Sequence, residues 1–200
     1  RARRGEDRGG VDPEVLAAYD QSVRVLDGLG ADIVDLSLPR RLGDLGALNG
    51  QIMSAEAYAL LGDIADDAEL PVDEAVRPRI RAGAATSARD YLRALAERER
   101  LKAGFAAAME GADAVLTPTA ATAALRLAEV DQATTPALLT RWVNLLDLCG
   151  LAVPNGFTAA GLPTSLQVVC RGWDEVTALR VGWAYQDATD WHERAPPMAA

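Results

Sequence analysis

Few residues in this chain are able to act as acids, bases or nucleophiles. There is one histidine, His192, one lysine, Lys102, two cysteines, Cys149 and Cys170, and five serines, Ser22, Ser37, Ser54, Ser87 and Ser165. A general base must be held in place by packing and by a second partner. His192 lies just before Pro196 near the end of the chain and reads instead as a cation following a helix. No serine neighbours another, none sits in a G-x-S-x-G elbow, and Lys102 falls in a highly charged helical stretch. Asp63, Asp66 and Asp67 crowd into a polar turn, which is a solvated acidic loop rather than an acid/base pair. The two cysteines form no CxxC, and with a single histidine they make no metal site. They read as small buried hydrophobes in a reduced, cytoplasmic compartment. No glycine-rich loop fits a phosphate. Local chemistry therefore offers no catalytic residue, no metal ligand set and no cofactor site.

Composition narrows the partners. The 200 residues suffice for one compact domain, and half are hydrophobic with a quarter charged. The net charge of −9 excludes nucleic acid, whose binding rests on Lys and Arg neutralising phosphates. It excludes an anionic membrane surface on the same ground. No apolar run reaches membrane-spanning length. Arg1 to Gly10 is basic but is followed by no apolar stretch, so it is not a signal peptide. With no initiator Met, the sequence is expected to begin partway through a longer protein.

The elements that would position any site can be read from periodicity. Residues 1–10 read as a flexible leading segment, 11–195 as the folded region and 196–200 as a tail. Asp12 caps a helix with Pro13 at its first position, with Leu16, Tyr19, Val23 and Leu26 at helical spacing. Gly28 and Gly30 end it. Val34, Leu36 and Leu38 alternate as a strand closed by Pro39. A second helix spans Leu45 to Leu61, carrying Ile52, Ala55 and Leu60, and a short one spans Val72 to Ala82. Ser87 and Asp90 form a capping box for the longest helix, whose stripe is Tyr91, Leu95, Leu101, Phe105 and Met109. Arg98 falls beside that stripe and needs a partner if buried. Asp113 to Thr119 is a buried strand running into an unassigned loop, 120–135. Pro136 to Cys149 reads as a helix. Leu151–Pro154 and Leu166–Cys170 read as a hairpin around Gly161, with Pro154 marking an edge. Asp174 caps a last helix with Val176, Leu179, Val181, Trp183 and Ala184 on its apolar side. The pattern is α/β, with helices covering a mixed β-sheet.

Three ordered stretches together resemble the amidase signature family. The first runs from Val11-Asp12-Pro13-Glu14 through Asp27-Gly28-Leu29-Gly30 to Leu38-Pro39. The second runs from Ser87-Ala88-Arg89-Asp90-Tyr91-Leu92 through Arg98 and Phe105 to Thr117-Pro118-Thr119. The third joins Thr140-Arg141-Trp142-Val143-Asn144-Leu145 to Gly161-Leu162-Pro163, Leu166-Gln167 and Asp174-Glu175. Within it, Asn144 to Leu148 is similar to allophanate-hydrolase-like members. Ser165 stands where the family often has glycine.

The resemblance implies a fold fragment, the C-terminal portion of an amide hydrolase. Family members use a Ser–cis-Ser–Lys arrangement, in which a serine's proton passes through a second serine to a neutral lysine. The stretch carrying those residues is not in this sequence. The chain would thus supply scaffold and part of the pocket for a small-molecule amide, with the N-terminal amidase half as its partner and inactivity on its own. Pocket-wall candidates are Thr117, Pro118 and Thr119, which end a strand where α/β sheets bind ligands, and Asn144. A non-catalytic module derived from the fold, an ammonia-delivering amidotransferase component and a homo-oligomer are the further readings.

Overall fold

The computed structural model describes residues 2–5, 8–36, 40–132 and 136–195. Leu38, the Pro39 stop and the tail 196–200 lie outside these residues.

Five strands form one sheet in the order β2-β1-β3-β5-β4. They are β1 (Ala2–Gly5), β2 (Ile33–Leu36), β3 (Ala114–Pro118), β4 (Cys149–Phe157) and β5 (Pro163–Cys170). β1 pairs in parallel with β2 and β3, whereas β5 is antiparallel to both β3 and β4. The sheet is therefore mixed, with the expected hairpin at one end. The leading segment departs from expectation, because Ala2–Gly5 is an internal strand between β2 and β3. Its run Ala-Arg-Arg-Gly carries no alternation of apolar residues, so only its neighbours reveal it.

Helices cover both faces. α2 (Leu45–Asp66), α4 (Ala88–Ala108) and the short α5 (Arg141–Leu145) lie on one side. There Ile52, Leu101, Phe105 and Trp142 share a core with Val115 and Val169 of the sheet. α1 (Pro13–Gly28) and α6 (Glu175–Asp187) lie on the other, where Tyr19, Val23, Leu26, Ala178 and Tyr185 join Leu116, Leu166 and Val168. The alternation of Leu116 and Val115 between the two cores is the period-two rule of a strand. Phe105 stacks on Trp142 at 5.7 Å between ring centroids, an arrangement favoured beyond simple area burial.

The caps form as the sequence implies. The Glu14 amide donates to Asp12 Oδ1 at 2.7 Å, the Asp90 amide to Ser87 Oγ at 3.1 Å and the Thr177 amide to Asp174 Oδ1 at 3.3 Å. Each cap of this kind is worth about 1 kcal/mol. Arg98 finds its partners: Nε donates to the Leu145 carbonyl at 2.6 Å, and a terminal nitrogen pairs with Asp147. Between α2 and α4, the short α3 (Arg77–Arg81) passes into a 3-10 turn, Ala82–Ala85.

Three other expectations change. The helix read over Pro136 to Cys149 is a 3-10 turn, Ala137–Leu139, followed by the five-residue α5, and Cys149 already belongs to β4. Asp147 takes a left-handed backbone, φ 54°, which ends the helical path. In α2 the helix runs on to Asp66 through the expected acidic turn, and Leu60 is 82% exposed. In α6 the large residues Val176, Leu179 and Trp183 face outward, while Ala178, Gly182 and Tyr185 face the sheet. The reason is distance: a Cβ on Gly182 would come within 2.5 Å of Leu151 Cδ2. At Gly182 the helix lies so close to β4 that a side chain there would collide with Leu151.

Candidate functional site

β3 is buried along its whole length and ends at Pro118. Beyond it the chain opens into the loop 120–132, and a cleft of about 870 Å³ forms there. Its walls are the loop itself, Pro136, Leu138 and Arg141, the start of β5 at Pro163, Thr164 and Ser165, and Val15, Met53 and Arg79 from α1, α2 and α3. Arg79 donates to the Gln132 carbonyl and so ties α3 to the loop. Arg79 and Arg141 are the two basic residues among those lining this cleft.

The sequence candidates divide. Thr117 is buried opposite Gln167 in the β3–β5 register. The Gln167 amide nitrogen donates to Thr117 Oγ1 and to the Leu139 carbonyl, both at 2.9 Å. These bonds pin the turn before α5 against the sheet. Pro118 faces Leu166. The Thr119 amide donates to the Ser165 carbonyl at 3.0 Å, and its hydroxyl oxygen is buried without a hydrogen-bond partner among the described residues. These three residues close β3 just ahead of Ala120, the first residue of the loop that lines the cleft, and none of the three lines the cleft itself. Asn144 lies apart from them, exposed on α5, and it too is absent from the residues lining the cleft. Sequence reasoning missed Arg79, Arg141 and Thr164 as cleft residues. Each comes from a different element, and no local spacing links them.

The remaining reactive side chains are engaged elsewhere. The Lys102 ammonium pairs with Asp147 at 3.0 Å and Glu99 at 3.1 Å. The Asp147 hydrogen bond, then that of Glu99, raises its pKa, the opposite of what a lysine acting as a neutral base requires. Ser54 donates to the Gln51 carbonyl, and Ser87 serves as a cap. Burial pushes the Cys170 thiol up to about 12, so it is no thiolate nucleophile. His192 is exposed on a 3-10 turn, Trp191–Glu193. Among the described residues no helix is long and apolar enough to cross a membrane.

A cleft at the carboxyl end of a buried parallel strand, closed by loops, is where open α/β folds place small-molecule sites. The family model for amidases matches residues 4–179, and the chain belongs to the amidase family. It is 33% identical over 218 residues to the A subunit of glutamyl-tRNA(Gln) amidotransferase from Thermosynechococcus vestitus, covering 94% of this chain and 45% of that protein. The corresponding protein of Myxococcus xanthus is 31% identical over 226 residues, with 94% and 44% covered. A solved amidase crystal structure superposes with a TM-score of 0.81 at 27% identity, covering 93% of this chain and 44% of the other. Kluyveromyces lactis allophanate hydrolase shares the fold, with a TM-score of 0.81 at 23% identity over 94% of this chain and 32% of its own. The chain thus spans less than half the length of these relatives.

Proposed function

We propose that this chain is the C-terminal scaffold and one pocket wall of an amide-bond hydrolase, whose reacting serines and lysine lie in a segment outside it. The reaction is hydrolysis of a carboxamide to a carboxylate and ammonia. A serine oxygen bonds to the carbonyl carbon, the C–N bond breaks as ammonia leaves with a proton, and water then releases the acid. The observation that carries the reading is the cleft at the end of β3, walled by Thr164, Ser165 and Arg141. The engaged state of Lys102 agrees with a relay that draws its lysine from elsewhere.

Resemblance at 30–33% identity to glutamyl-tRNA(Gln) amidotransferase components favours a second reading, in which the ammonia passes to a substrate held by a partner. Ammonia release from a panel of primary carboxamides tests both readings. The chain alone should release none, and the chain joined to the serine- and lysine-bearing part encoded ahead of it should turn over. Turnover by the chain alone that survives Lys102→Ala and Ser165→Ala would overturn the proposal. So would a coding region without a Gly/Ser-rich segment preceded by a lysine. An inactive joined protein would point to a non-catalytic module.

A further inference from the structure

The two cysteines of the chain face each other across the sheet. Cys149 opens β4 and Cys170 ends β5, and they are register partners in that antiparallel pair. Directly opposed residues of two strands point to the same side of a sheet. Here that side is the α1/α6 face, where Cys170 is a fully buried core residue and Cys149 packs against the same cluster. Such partners stand about 4.5–5.5 Å apart at Cα, within the roughly 4.4–6.8 Å that a disulfide spans. Both are free thiols in this structure.

The backbone around the pair is held on both sides. Asp147, ahead of Cys149, anchors Arg98 and Lys102 of α4. Gly172, beyond Cys170, passes so close that a Cβ on it would collide with the Asp147 carbonyl oxygen. The thiols thus sit between the ladder pair Gly150 and Val169 on one side and the contact of Gly172 with Asp147 on the other, which keeps the two strand ends together. Access is unequal: Cys149 is partly exposed, whereas Cys170 is fully buried.

We propose that Cys149 and Cys170 form a cross-strand thiol/disulfide couple, oxidised by a low-molecular-weight disulfide such as glutathione disulfide while the hairpin stays folded. The Cys149 thiolate attacks one sulfur of the reagent, the reagent's S–S bond breaks, and the departing thiolate takes up the proton that Cys149 lost. Cys170 then gives its proton to solvent and attacks the Cys149 sulfur, expelling the second reagent thiolate, which is protonated in turn. Two protein thiols have lost two electrons and two protons, and one reagent disulfide has become two thiols. Cys149 is the point of entry because Cys170 is out of the reagent's reach. Burial first, then Asp174, Cys149 and Asp113, raise the Cys170 pKa to about 12, against a smaller opposing effect of Arg171. The closing step is therefore slow at neutral pH and quickens as pH rises. The ring so closed contains Pro163, Thr164 and Ser165 of the cleft wall, so the redox state of the pair bears on that wall whatever chemistry the cleft performs.

The test is the intact mass of the folded chain after incubation with excess glutathione disulfide in mildly alkaline buffer, with non-reducing peptide mapping of the product. The chain should lose two hydrogens through a single Cys149–Cys170 link, and dithiothreitol should restore them. Cys149→Ser should take up no reagent, and Cys170→Ala should stop as a glutathione adduct on Cys149. The oxidised chain should show a higher urea midpoint than the reduced one, because the link restricts the unfolded chain. That comparison uses the unsubstituted protein, so it stands even if Cys170→Ala fails to fold. A glutathione adduct that persists on the unsubstituted chain, a link between two chains, or no reaction at all would overturn the proposal. So would an oxidised chain no more stable than the reduced one.

Discussion

Gly83 provides a demanding test of how the elements around the cleft are packed. It lies in the 3-10 turn after α3, and a Cβ there would overlap the Ser54 carbonyl of α2 and stand 2.7 Å from Tyr58 Cβ. Both obstacles are at or next to the backbone of α2, so no rotamer change relieves them. Gly83→Ala must push the turn and α2 apart by about an ångström, and inserting atoms into a filled interface costs about 1–3 kcal/mol. The rigidity of the obstacle puts this case at about 3. Gly50 is the matched control: it lies within α2, and an added Cβ there would meet nothing within 4 Å. Gly50→Ala should stabilise by roughly 0.5–1 kcal/mol through helix propensity. Urea unfolding at sub-micromolar chain concentration, followed by the fluorescence of buried Trp142, reads both. With a denaturant slope of about 2 kcal/mol/M, Gly83→Ala should lower the midpoint by roughly 1.5 M and Gly50→Ala should raise it slightly. Equal midpoints for the two variants would refute the close approach. Arg79 stands on α3 just ahead of this turn, so the same substitution should disturb one wall of the cleft.

Thr119→Val removes a buried hydroxyl that has no partner among the described residues, and should stabilise the chain by about 1 kcal/mol in the same assay. A loss of stability would mean that the hydroxyl is paired. Asp147 is held below the usual carboxylate range, first by its hydrogen bond to Lys102, against an opposing effect of burial and with support from Arg98. Because its folded pKa is depressed, its stabilisation is present above the unfolded value near 4 and is lost as pH falls through the folded one. Since Asp147 is about half exposed, Asp147→Asn should cost only about 0.5 kcal/mol at pH 7. That difference should shrink as the pH falls through the depressed folded pKa, and a difference independent of pH would contradict the ion-pair account. Trp173 is 98% and Trp183 69% exposed, with Val176 and Leu179 between them. An apolar surface of this kind promotes association, so the isolated chain should sediment as an oligomer, and a clean monomer with a cooperative melt would count against the fragment reading.

The sequence alone determined the elements whose signals are local. Caps depend on residues a few positions apart, so Asp12, Ser87 and Asp174 mark helix starts correctly. Apolar runs bounded by turns locate β3 and the β4–β5 hairpin, because a buried strand must be apolar and a reversal needs glycine or proline. Family membership was legible for the same reason, since the three ordered stretches keep their spacing along the chain. Only the tertiary structure decided the rest. β1 is a strand because β2 and β3 flank it, although its own residues show no strand pattern. The outward turn of Leu179 and Trp183 follows from the close approach of α6 to β4, which periodicity cannot encode: a stripe marks one side of a helix without saying what lies against it. The cleft gathers Arg79, Arg141 and Thr164 from separate elements, and the buried hydrogen bonds joining Ser22, Asn155 and Thr164 link residues far apart in sequence. Such properties depend on which groups meet in space, so they exist only once the sheet and its helices have closed on one another.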